Sequence, residues 1–106
     1  MKIYKFYSYG WKDKLYEVDE LDVEEKPNSY VGNRKSPLLR SFRVLKSEIN
    51  LLRNGIGDVM YCLTPDPKFY IRSVIAKREA AIKILETRLE REKEALKKWI
   101  EAEEKL

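Results

Sequence analysis

The feature that most constrains this chain is residues 67–105, a stretch with no glycine and no proline after its first position. Its start is marked twice. Asp66 puts a carboxylate where it can accept an orphan helix amide, and Pro67 follows at the first helical position, where no N–H is needed. The pattern predicts one long amphipathic helix. At about 1.5 Å per residue it would run about 58 Å, whereas a domain of this size is only about 26 Å across in radius-of-gyration terms. The helix is therefore expected to overhang its domain or to pair with something.

Its apolar residues support that. Ile75, Ile82, Leu89 and Leu96 recur every seven positions, and Ile71, Leu85, Trp99 and Leu106 occupy the other seam, which Arg78 and Glu92 interrupt. Up to Leu85 the stripe is broad (Phe69, Ile71, Val74, Ile75, Ala81, Ile82, Ile84, Leu85), a width suited to packing on a sheet. The half up to about Leu89 is expected to be core. Beyond it the stripe narrows among Glu and Lys. That distal half reads as a solvated end, as a coiled-coil or hairpin contact with another copy, or as a site for a different partner. Trp99 and Ile100 would be exposed apolar surface on a free tail, which favours a contact. The oligomer seam expected on this ground is Leu85, Leu89, Leu96 and Trp99.

The residues before the helix read as β structure. Residues 2–9 carry β-branched and aromatic side chains at Ile3, Tyr4, Phe6, Tyr7 and Tyr9, which suit a strand. Gly10 and Asp13 mark a turn over 10–14. Residues 15–23 are the returning strand of a hairpin. Tyr16 and Val18 fall on one face but Leu21 and Val23 on the other, and a bulge near Asp19 and Glu20 would bring them together. Pro27 ends or edges the sheet. Tyr30 and Val31 suggest a short strand, 32–41 a basic loop, and 42–45 another strand. Ser47 is a candidate cap for a short helix over 48–53, closed by Asn54 and Gly55. Residues 59–63 form a strand apolar on both faces, so central or covered. The expected fold is a single α+β domain over 1–106, a small antiparallel sheet of four or five strands packed on the C-terminal helix.

Composition limits the chemistry. The chain has 106 residues, no histidine and one cysteine, Cys62. The commonest general base and the commonest transition-metal ligand are thus missing, and neither an intrachain disulfide nor a cysteine-rich zinc site can form. Ser8, Ser36, Ser41 and Ser47 have no histidine to activate them. No glycine-rich phosphate loop, nucleophile elbow or dinucleotide fingerprint occurs. The expectation is no enzyme, no cofactor and no metal. A lone cysteine fits a reducing, cytoplasmic setting. No apolar run approaches the roughly 18 residues that would span a bilayer, and no secretory signal is recognisable, so no membrane partner is expected.

Charge is unevenly spread. The net charge is +4. Six of the nine residues in 17–25 are acidic, while 26–53 carries seven basic residues against Glu48 alone. The acidic run has neither histidine nor a calcium-loop pattern, so it reads as a charged strand edge that resists sheet-to-sheet pairing. Lys5 beside Tyr7 and Tyr9 can be read as a base-stacking, phosphate-holding surface, or more plainly as sheet residues over a core made by Tyr4 and Phe6. The basic residues Arg34, Lys35, Arg40 and Arg43 form either a solvated loop or a contact for phosphate or an acidic protein surface.

Several segments together are familiar: residues 23–31 (Val-Glu-Glu-Lys-Pro-Asn-Ser-Tyr-Val), residues 46–49 (Lys-Ser-Glu-Ile), the strand at 59–63, and Pro67 and Phe69 leading into a charged terminal helix. This layout resembles small uncharacterised proteins of bacteriophage and prophage genomes. The resemblance implies an accessory protein in an infected bacterial cell. Such proteins often bind and disable a host factor, including components of antiviral defence. The leading expectation is thus a non-catalytic binding protein, an anti-defence inhibitor, that occupies a host protein surface. Its expected contacts are Arg34, Lys35, Arg40 and Arg43, with Arg91, Lys97, Lys98 and Trp99 on the distal helix. The alternatives are nucleic-acid binding through Lys5, Tyr7, Tyr9 and the basic loop, and sequestration of a nucleotide signal between subunits.

Overall fold

Alternation in the first strand decides the architecture. Ile3 points to one side of the sheet and Phe6 to the other, and both are fully buried, so the sheet must be covered on both faces. The computed structural model describes residues 1–9, 13–33, 41–53, 55 and 57–106. Five strands, β1 (Lys2–Ser8), β2 (Glu17–Glu25), β3 (Ser29–Gly32), β4 (Arg43–Leu45) and β5 (Asp58–Cys62), precede one helix, α1 (Lys68–Glu104). The strands form a curled antiparallel sheet in the order β4-β3-β2-β1-β5. The expected α+β arrangement of an antiparallel sheet and a long C-terminal helix is the one found. The chain divides into two compact units, Met1–Val74 and Ile75–Leu106.

Two apolar clusters fill the first unit, one on each side of the sheet. Ile3, Val23, Tyr30, Val44 and Tyr61 make one, with Phe42 and Ile49 packed against them. Phe6, Met60, Cys62 and Tyr70 make the other, joined by Tyr4, Tyr16 and Val74. β2 serves both. It pairs with β1 residue for residue from Lys2↔Asp22 to Tyr7↔Glu17, with no bulge. The bulge expected near Asp19 and Glu20 is therefore absent. The phase change has another cause: Tyr16, just before the strand, packs with Phe6, and Val18 on the same side stays exposed, while Leu21 and Val23 belong with Ile3, so the chain through a regular β2 feeds opposite clusters.

β5 lies at the end of the strand order, yet neither its faces nor its outer edge is bare. Tyr61 enters one cluster and Met60 and Cys62 the other, in keeping with its apolar run. Along the edge, the Asn50 amide donates to the Tyr61 carbonyl at 2.9 Å and the Arg53 amide to the Val59 carbonyl at 2.8 Å. This pairing displaces the short helix expected over 48–53. A 3₁₀ turn, Lys46–Glu48, takes its place, and Asn50 then adopts a left-handed φ of 63° that no helix permits. Unpaired edge groups of β5 hold the segment more strongly than its helix propensity does. Asn54 lies outside the described residues, as do 10–12 of the expected turn and 34–40 of the expected loop.

The helix begins where the sequence places it. The Lys68 amide donates to Asp66 Oδ1 at 3.0 Å, and the Ile71 amide reaches the Pro67 carbonyl at 2.9 Å. The expected broad core stripe is not found. Tyr70 is the buried residue of α1 and Val74 is half-buried, whereas Phe69, Ile71, Ile75, Ile82, Ile84, Leu85 and Leu89 are exposed. Tyr70 and Val74, four residues apart, form the face that meets the sheet, while Ile71 and Ile75 lie about 100° round the helix from them. The stripe is broad because two differently directed faces overlap in it.

Tyr70 ties the first helical turns down. Its ring stacks on Phe6 with centroids 5.5 Å apart and lies 5.7 Å from that of Tyr16, and its hydroxyl donates to the Asp58 carbonyl at 2.9 Å. Tyr70→Ala should lower unfolding stability by about 3–5 kcal/mol through the cavity it leaves. Tyr70→Phe should cost about 1 kcal/mol for the lost hydrogen bond. Urea titration of the two variants measures both, and equal costs would show that the ring contributes nothing beyond its hydroxyl.

Candidate functional site

An unbroken helical backbone makes a surface of any side chains that recur on one face, and in the unit Ile75–Leu106 those are apolar. Ile75, Ile82, Leu85, Leu89, Leu96 and Ile100 are all about half exposed, and Trp99 is 76% exposed. Seven-residue spacing puts Ile75, Ile82, Leu89 and Leu96 along one line, with Leu85, Trp99 and Leu106 along the next. All four residues of the expected oligomer seam, Leu85, Leu89, Leu96 and Trp99, are therefore on the surface.

The distal contact residues divide over two shallow grooves. Arg91, Lys98 and Trp99 line one with Glu94, Ala95 and Ala102. Lys97 lines the other with Lys93, Leu96, Ile100, Glu101 and Glu104. Ala95 and Ala102 had no part in the expected site. Their signal is their spacing, four before and three after Trp99, which leaves the indole flanked by small side chains. The face is electrically mixed, with nine basic and eight acidic residues in 75–106.

Elsewhere the expected sites are placed as follows. Arg34, Lys35 and Arg40 lie outside the described residues. Arg43 is exposed on β4, opposite Val31. Lys5 Nζ sits 5.0 Å from the centre of the Tyr7 ring, which packs 5.4 Å from that of Tyr9. Here acids dominate. Hydrogen bonding to Glu17, then burial and the charge of Asp19, push the Tyr7 hydroxyl far above the usual phenol range, and it donates to Asp19 Oδ1 at 3.4 Å. Carboxylates at that position repel a nucleic-acid phosphate.

The acidic strand is laced to basic groups. Lys2 meets Glu20 at 3.0 Å and Lys46 meets Glu25 at 2.7 Å. Residues 17–21 border β1 alone among the described strands, an edge-like position that suits charged side chains. Among the described residues no group of three or more Asp, Glu, Cys or His side chains is placed to hold a metal ion, and no helix is long and apolar enough to cross a membrane.

Cys62 is buried beside Phe6 and Met60, and burial pushes its thiol above the ordinary range. A buried thiol is a poor nucleophile. The raised value also has a sign. The unfolded thiol ionises first, so the stability Cys62 contributes is intact below the ordinary thiol pKa and falls as pH rises beyond it. In Cys62→Ala the drop in urea midpoint between about pH 7 and about pH 9.5 should shrink. An unchanged drop would assign the alkaline loss to other groups.

No family model, curated protein or solved structure matches the chain, so its function is read from these residues.

Proposed function

We propose that this is a non-catalytic binding protein whose contact element is the exposed apolar seam of α1. The observation that carries the reading is the run of large apolar side chains, Ile75 to Ile100, left in water along one helix. A helix that served only as a solvated strut would gain nothing from Trp99 at 76% exposure. A sequence without histidine and a single, buried cysteine support a role other than catalysis. The near balance of basic and acidic residues on 75–106 favours a protein partner over a polyanion, whose binding depends on an excess of cations.

The resemblance to small phage and prophage proteins supplies the setting. The protein acts in the cytoplasm of an infected bacterium, where it occupies the surface of a host factor, with antiviral defence components as the target class. Arg91, Lys97 and Lys98, beside the apolar ridge, provide the polar contacts, and Trp99 the apolar anchor.

The test pairs the native protein with Leu89→Asp/Leu96→Asp. Both sites are exposed, so far-UV circular dichroism should remain helical. Immobilised native protein should retain one stoichiometric partner from a bacterial lysate, and the double variant should retain at least about ten-fold less. Equal retention would remove the seam from the contact. An empty capture together with turnover of any substrate would remove the binding reading itself.

A further inference from the structure

The seam of α1 has a property that its apolar residues alone do not reveal. Its ten positions are Ile75, Arg78, Ile82, Leu85, Leu89, Glu92, Leu96, Trp99, Glu103 and Leu106, spaced alternately by three and four. Read backwards, this series matches itself. In an antiparallel pair with its two-fold axis between residues 90 and 91, every seam residue lies level with a seam residue of the other helix.

The partners are chemically matched at every level but the central one, where Leu89 lies against Glu92. Ile75 meets Leu106, Ile82 meets Trp99 and Leu85 meets Leu96, all apolar and all exposed in the single chain. Arg78 meets Glu103, so the charge that interrupts the seam finds its opposite. Glu92 meets Leu89, which Arg88 of the same copy precedes, so the central carboxylate has a cation in the neighbouring position. Flanking the seam on one side, Glu86 faces Lys93 of the second copy, and by symmetry Lys93 faces Glu86. On the other side Ala81 faces Ala102 and Arg88 faces Ala95, small groups that let the helices close and give the Trp99 indole room.

Other arrangements fail this comparison. In a parallel in-register pair, Arg78, Glu92 and Glu103 would each face their own copies, and Arg88 would flank Lys93. Sliding the antiparallel pair by one heptad toward residue 75 leaves Glu92 against an apolar residue as before, but it also sets Arg78 against Leu96 in place of Glu103 and forms fewer layers. Charge thus selects both direction and register.

We propose that the occupant of the seam is a second copy of this chain, paired antiparallel over residues 75–106 with residue 78 level with residue 103. This deepens the reading of the seam as a contact element and rests on it. Arg91, Lys97 and Lys98 lie outside the paired face and stay accessible to a further protein, whereas Trp99 and the apolar seam are shared ground, so a host factor that uses them displaces the second copy.

The test is a charge exchange across the pair, read by sedimentation equilibrium of the full chain. The native protein should dimerise at micromolar to tens of micromolar concentration. Glu86→Lys alone and Lys93→Glu alone should each raise the dimer dissociation constant about ten-fold, since each change acts twice by symmetry. The combined Glu86→Lys/Lys93→Glu variant should return to within about two-fold of the native value. Both positions are exposed on the helix, so all three variants should keep native helicity. A native monomer up to several hundred micromolar would overturn the second copy as occupant, while a lysate partner that Leu89→Asp/Leu96→Asp abolishes would leave the binding reading standing. Tighter association of Lys93→Glu alone would signal the parallel pair, and failure of the combined variant to recover would refute the register. Either result overturns the proposal.

Discussion

Burial of Tyr70 is the interaction on which the first unit depends. Its ring completes an aromatic group with Phe6 and Tyr16, and its hydroxyl caps a carbonyl of β5 at Asp58. One side chain thereby joins β1, β5, the segment before β2 and the first turns of α1. Without it the face of the sheet carrying Phe6 and Met60 would lose most of its helical cover, since among the described residues Val74 is the other apolar side chain of α1 packed against that cluster. A five-stranded sheet with one face exposed to water at its most apolar point would be an aggregation hazard.

Covering both faces explains the rest of the unit. The opposite cluster is closed by the connection between β3 and β5, through Phe42 and Ile49. That connection continues along β5, satisfying its outer backbone groups at Tyr61 and Val59. At the other end the sheet stops at β4, only three residues long, and a short edge offers little template for a stranger's strand. At Gly57 the approach is so close that a Cβ would sit 2.6 Å from the Tyr9 ring, and its φ of 79° suits glycine.

What the sequence makes legible is what local chemistry decides. Asp66 and Pro67 announce the start of α1 because a cap is made by neighbours in the chain, and the strands show because alternation is local. The two faces of the sheet were harder to read. A bulge in β2 is the natural inference when one core is assumed, and only the three-dimensional arrangement shows that Tyr16 and Val23 serve different cores. Residues 48–53 carry a helical pattern, but the deciding partner is the edge of β5, a tertiary contact that helix periodicity does not register even though Arg53 and Val59 are close in the chain. Tyr70 escaped for a similar reason: Ile71 continues the seven-residue series through Arg78, Leu85 and Trp99, and nothing local says that the sheet takes the neighbouring face of Tyr70 and Val74. Of the candidate site, the seam residues Leu85, Leu89, Leu96 and Trp99 were legible from spacing, and so was the exposed apolar surface at Trp99, but the exposure of Leu85 and Leu89, expected in the core, was not.

The charged residues in that seam change meaning with the direction in which it is read. Taken forwards, Arg78 and Glu92 are defects in a heptad pattern. Against a second chain running the other way, Arg78 becomes half of a pair with Glu103, and Glu92 lies beside Leu89 and Arg88. A purely apolar seam would stick to itself in several registers and both directions. Charges placed off-centre along it cost some association energy and remove most of those alternatives. The defects in the pattern are therefore its most specific part, and in the proposed pair they set the orientation and the offset.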